Sequence, residues 1–221
     1  MISHQHKAIF VHIPKSAGTS LGTKLNLYSD DGQWGMQDHR SIRHLTPLHK
    51  LKLSQYLSGV NYEVIYYHLR DRFVLKREYP TPIQLETYYK FTFVRNSWAR
   101  VFSWYCNVMG DEKHMNRYRI SSDASFSWFV ENRLSTLKNQ LYYITDTNGE
   151  IGVDFIGRYE NLSDDFLYVC KKINIADPEL PRKNSEGAPL YISHYNDHLI
   201  DLVAQRYHED IEYFDFKFGQ K

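Results

Sequence analysis

Apolar residues along this chain fall into short continuous runs separated by stripes of helical period. Ala8-Ile9-Phe10-Val11-His12-Ile13-Pro14 is one such run and predicts a strand. Lys15-Ser16-Ala17-Gly18-Thr19-Ser20 then reads as a tight, hydroxyl-rich turn leading into a helix that carries Leu21 and Leu25. Phe91–Val94 predicts a second short buried strand. Beyond it Trp98, Val101, Phe102, Tyr105 and Met109 lie on one helical face, with Ser103 nearly opposite. A third strand and corner are expected over 151–162, followed by a helix with Ser163 as N-cap. Asp164 and Asp165 sit in its first turn, and Phe166, Val169, Cys170 and Ile173 form its buried face. Leu199, Leu202, Val203 and Arg206 mark a closing helix. Val64–Tyr67 reads as a strand before a charged stretch, Arg70 to Glu78, and a loop at Tyr79-Pro80-Thr81-Pro82.

The first turn carries the chemistry. A strand–turn–helix corner offers free backbone N–H groups and the positive end of a helix dipole to an anion. Lys15 adds a full charge, and Ser16, Thr19 and Ser20 add hydroxyl donors, so the turn reads as a phosphate or sulfate cradle. It is not a Walker A loop, whose lysine follows its glycines, because Lys15 precedes Gly18. Arg95, at the end of the second strand, offers the planar fork suited to a phosphate.

His12 through Ser20, reading HIPKSAGTS, resembles the 5′-phosphosulfate loop of carbohydrate sulfotransferases that use 3′-phosphoadenosine 5′-phosphosulfate (PAPS). Phe91 to Tyr105 resembles the same group's 3′-phosphate motif, with Ser97 where proline is usual. Arg158-Tyr159-Glu160-Asn161-Leu162 resembles its RYENL corner, and 180–185 its LPxxN loop. The resemblance implies a three-layer α/β domain with a central, mostly parallel sheet, similar to the P-loop nucleotide-kinase fold. It implies Lys15, Ser16, Ala17, Gly18, Thr19 and Ser20 around the phosphosulfate, and Arg95 and Ser103 at the 3′-phosphate. Tyr159 would stack on the adenine, and Arg182 and Lys183 would close over the nucleotide. His44, in His44-Leu45-Thr46-Pro47, matches the segment that carries the group's catalytic histidine. His68 is the second choice, and His39 and His49 also lie between the two motifs.

Composition adds bounds. The 221 residues are expected to form a single domain, 1–221, with 56–89 the least family-like and a candidate acceptor-facing insertion. A formal net charge of +1 gives no global field for nucleic acid, so anion recognition must be local. Cys106 and Cys170 read as free thiols. No signal peptide or membrane span is expected, which points to a cytoplasmic enzyme without a metal; the sequence specifies no oligomeric state. The expected reaction moves a sulfuryl group from PAPS to a carbohydrate hydroxyl and releases the desulfated product, PAP. Two alternatives are an ATP-dependent phosphotransferase, which needs a metal-binding acid near the cradle, and a non-catalytic nucleotide-binding module.

Overall fold

The computed structural model describes residues 1–27, 38–48, 60–180 and 191–220. In chain order the labelled elements are β1 (Ile2–Ser3), β2 (Ala8–Val11), α1 (Gly18–Lys24), α2 (Val60–Phe73), α3 (Pro82–Thr87) and β3 (Tyr89–Val94). There follow α4 (Ser97–Met109), α5 (Glu112–Tyr118), α6 (Phe126–Arg133), β4 (Phe155–Arg158), α7 (Leu162–Lys172), α8 (Asp197–Arg206) and α9 (His208–Phe214). The described residues fall into two compact units, one drawn from Met1–Val94 and Tyr142–Lys183, the other from Arg95–Leu141 and Asn184–Lys221.

The first unit holds a sheet of order β1-β2-β3-β4, with β1 antiparallel to β2 and the other pairings parallel. Phe10, Phe91 and Phe155 align across it. All four residues of β2 and the last four of β3 are buried, so the strands are covered on both faces, as parallel strands require. On one face Phe10, Phe91 and Phe93 pack with Leu21 and Leu25 of the α1 segment and with Phe166, Val169 and Cys170 of α7. Burying each such side chain contributes about 1.5–3 kcal/mol. Gly157 on β4 is forced by this packing, because a Cβ there would lie 2.4 Å from the Phe93 ring. The expected mixed α/β class with a central, mostly parallel sheet flanked by helices is observed.

Two local expectations are corrected. Val64–Tyr67 is not a strand but the middle of α2. Its β-branched and aromatic residues favour strand locally, but among its described side chains only Val64 and Asp71, seven apart, are fully buried, which is a helical spacing. Ser163 does not cap α7. The N-cap is Asn161, and Asp165 does the satisfying, accepting from the Arg158 N–H at 2.6 Å and from Asn161 Nδ2 at 2.8 Å.

The second unit is helical. Asn96 caps α4 by accepting from the Trp98 N–H at 3.2 Å. On the predicted stripe Trp98 and Val101 are buried and Phe102, Tyr105 and Met109 are half-buried, while Val108 beside it is also buried. Trp98 Nε1 donates to the Ile200 carbonyl of α8, and Tyr195 O–H donates to the Trp98 carbonyl. Val108, Ile120 and Phe129 form a small core among α4, α5 and α6.

Candidate active site

In the first unit the turn after β2 is built from strained backbone. Lys15 and Ala17 both lie in the left-handed region, at φ 70° and 64°. Such a conformation costs a non-glycine residue about 1–2 kcal/mol. Ala17 is the N-cap of α1 and offers no side-chain cap. Ser16 and Ser20 are buried; Lys15 and Thr19 are half-buried. Such strain persists only where the surrounding structure over-determines it, which makes the turn a candidate functional corner. Gly18 opens the helix against an imidazole, for a Cβ at this position would lie 1.7 Å from His12 Nε2.

His12 is buried directly behind that glycine, stacked on Phe10 at 5.8 Å and against His39 at 4.3 Å between centroids. Burial pushes its pKa well below the ordinary histidine value, so the ring is neutral. His39 Nδ1 lies 3.2 Å from the His12 carbonyl oxygen. A carbonyl can only accept, so Nδ1 carries the proton and the lone pair is on Nε2. Burial lowers the His39 pKa to about 4. Its neighbours fix it in place. Asp38 accepts from Arg40 Nε at 2.9 Å and Nη2 at 2.7 Å, and the Arg40 guanidinium lies over the Tyr79 ring at 4.6 Å.

His44 has the opposite arrangement. The Ser41 N–H donates to its Nδ1 at 3.2 Å, so the proton of the neutral ring sits on Nε2. That nitrogen faces Tyr142 Oη at 3.3 Å, and the Tyr142 hydroxyl donates to Glu63. The ring is buried and stacked on Tyr67 at 3.7 Å. Both nitrogens thus serve the local structure. His68, now within α2, points Nε2 at the Thr46 carbonyl at 3.0 Å and stacks on Tyr79. Tyr159 is half-buried in a one-turn 3-10 helix after β4. The structure therefore brings His12 against the Lys15–Ser20 turn with His39 packed on His12, and sets His44 in a separate hydrogen-bonded cluster.

In the second unit Arg95 directly follows β3 in the chain. Its backbone is clamped by Gln140, whose Oε1 accepts from the Arg95 N–H at 2.8 Å and whose Nε2 donates to the Arg95 carbonyl at 2.8 Å. Gln140 is fully buried, and its own N–H donates to Asp210 at 2.6 Å. Ser103 is half-buried on α4. Arg182, Lys183 and His49 lie outside the described residues. The sequence reading did not single out Gln140 or Asp210, whose signal is only their later meeting in space. It named His39 without preferring it, because its tautomer is set by a carbonyl 27 residues away.

The family profile described as "Sulfotransferase family" matches residues 1–217. The chain belongs to the sulfotransferase family. This sulfotransferase is also 36% identical over 92 residues to an uncharacterized protein of Archaeoglobus fulgidus, an alignment covering 41% of this chain and 71% of that one. No solved structure matches it. Among the described residues no helix is long and apolar enough to cross a membrane, and no group of three His, Cys, Asp or Glu residues is placed to hold a metal ion. Family membership supports a transferase that moves a sulfuryl group.

Proposed function

We propose that this sulfotransferase transfers a sulfuryl group from PAPS to a carbohydrate hydroxyl, using the Lys15–Ser20 turn for the phosphosulfate. The observation that carries the reading is the turn itself: strained at Lys15 and Ala17, opened by Gly18, and similar in sequence to the family's donor loop. Backbone N–H groups and the hydroxyls of Ser16, Thr19 and Ser20 would surround the oxygens. Lys15 would neutralise charge on the departing 5′-phosphate, a role worth several kcal/mol when preorganised, about 3–4 for a single donor. Arg95 and Ser103 would take the 3′-phosphate and fix the donor's orientation. Tyr159 would stack on the base, and the 56–89 segment remains a candidate acceptor-facing element.

For the proton we propose His39, in place of the first choice His44 and the second choice His68. Its Nε2 lone pair is the feature a general base needs, and the ring lies beside His12. The acceptor oxygen forms its bond to sulfur as its proton passes to Nε2. The sulfur–oxygen bond to the 5′-phosphate breaks, and PAP leaves with the electron pair. His44 lacks a lone pair aimed outward, since Nδ1 accepts from Ser41.

Transfer of sulfur-35 from labelled PAPS to a panel of polysaccharides tests the reading. Asparagine can replace the Nδ1 donor of His39 or the Nδ1 acceptor of His44 without supplying a base. His39→Asn is expected to lose about 10²–10⁴ in turnover, whereas His44→Asn keeps turnover within about tenfold. The reverse order would return the base to His44. Label transfer that survives Lys15→Ala undiminished would contradict the assignment of the turn.

A further inference from the structure

Helix α2 carries its large apolar residues on the side away from the core. Val64 and Asp71 are fully buried and mark its inward line. Directly opposite, at 100° per residue, stand Tyr62, Tyr66, Leu69 and Phe73, which are 73%, 59%, 52% and 71% exposed. Their spacing of four, three and four is the a/d spacing of a helix-pairing seam. At about 200 Å² per large side chain, the stripe exposes roughly 500 Å² of largely apolar surface on one helix. That is near the upper end of the largest apolar patch on an ordinary monomer, about 300–600 Å². Val74, 71% exposed just past the helix end, extends it.

We infer that this face pairs with the same face of a second copy, α2 against α2, antiparallel about a two-fold axis. The register that fits sets Tyr62 against the partner's Phe73 and Tyr66 against the partner's Leu69, filling every layer of the stripe twice. Charge decides the direction. Glu63 and Arg70 lie on the same flank of the seam, seven residues apart, and each is held there by a neighbour. Glu63 accepts from the Tyr142 hydroxyl, and Arg70 donates to Asp71 through Nε at 2.9 Å and Nη2 at 2.6 Å. An antiparallel pair sets Glu63 across from the partner's Arg70, and symmetry repeats the contact. A parallel two-fold pair turns this flank toward the partner's other flank, where Ile65 and Arg72 stand, so Glu63 and Arg70 do not meet. Two stripes together bury about 1,000 Å², the least that a specific interface needs to clear. The inference does not depend on the donor or the base proposed above.

Sedimentation equilibrium of the full chain over on the order of 1–100 µM tests it. Wild type is expected to approach twice the monomer mass. Tyr66→Glu combined with Leu69→Glu is expected to raise the dimer dissociation constant about a hundredfold or more, with unchanged circular dichroism and PAP binding. A wild type that stays monomeric, or a double variant that still dimerises, would overturn the proposal. So would a monomer whose double variant loses retention on a polysaccharide column, which would give the stripe to the acceptor instead. Direction is read in a Cys106→Ser background, because Cys106 is exposed. Mixing Tyr66→Cys with Leu69→Cys should give the mixed disulfide ahead of either homodisulfide; the opposite order contradicts antiparallel pairing.

Discussion

After β2 and after β3 the chain performs the same manoeuvre, from buried strand through polar corner into helix, with opposite local chemistry. The corner after β3 is over-determined. Asn96 caps α4 with its Oδ1 and donates through Nδ2 to the Lys217 carbonyl, while Gln140 bonds both backbone groups of Arg95. The corner after β2 has a left-handed alanine as its cap, a left-handed lysine two residues earlier, and a glycine pressed against an imidazole. Its conformation is imposed from behind, by the buried His12, and not by bonds of its own cap. The proposed function would give the two corners different tasks, the first turning its backbone amides toward an anion and the second presenting one arginine.

The largest effect that can break this comparison is expected from Gly18→Ala. Overpacking a buried contact typically costs 1–3 kcal/mol, and an overlap at 1.7 Å from a ring sandwiched between Phe10 and His39 should reach about 3 kcal/mol or more. The denaturation midpoint measures it. Truncating His12→Ala in the same chain should restore part of the loss, since the clash is with that ring. Additive losses would show that the imidazole does not set the turn.

Next comes Gln140→Ala, which leaves the Arg95 N–H and carbonyl without their Gln140 partner and is expected to cost about 1–3 kcal/mol. Its second readout is PAP affinity, which should fall together with that of Arg95→Ala, because the clamp acts through Arg95. Unchanged affinity would make the clamp purely structural.

Ala17→Gly gives a smaller change of opposite sign. Glycine removes the left-handed penalty of about 1–2 kcal/mol but loses part of it to a freer unfolded chain. A net gain of up to about 1 kcal/mol is expected, whereas Asn96→Ala at the other corner should lose about 1 kcal/mol. A loss at both positions would erase the contrast.

A further effect is a slope with pH. His12 and His39 have folded pKa values below the unfolded histidine value, mainly through burial, with His39 at about 4. Between about pH 6.5 and pH 4 the unfolded chain therefore binds more protons, so stability declines as pH falls through that window. Above it the contribution is complete. His39→Asn should flatten the slope measured by chemical denaturation at successive pH values.

Much of this was legible in the sequence where local pattern and tertiary burial agree. The run before Lys15, the stripe on α4 and the Phe166–Ile173 face each announce both their element and their buried side. The pattern misleads at α2, where Val64-Ile65-Tyr66-Tyr67 favours strand locally while the outward stripe of Tyr62, Tyr66, Leu69 and Phe73 keeps helical spacing. It misleads at Ser163, because Asp165 reaches back to the Arg158 N–H. The turn from Lys15 to Ser20 was readable because adjacent residues form it. The histidines were not. The tautomers of His39 and His44 depend on which backbone group meets Nδ1, a carbonyl in one case and an amide in the other. Composition and spacing carry no trace of that choice.

The most direct measurement is calorimetric titration of the protein with PAP and, separately, with ADP, for wild type and Arg95→Ala. The account predicts tight PAP binding that depends on Arg95, with ADP far weaker. Equal binding of the two nucleotides, or binding that requires Mg²⁺, would contradict a PAPS donor and favour ATP chemistry at the same turn.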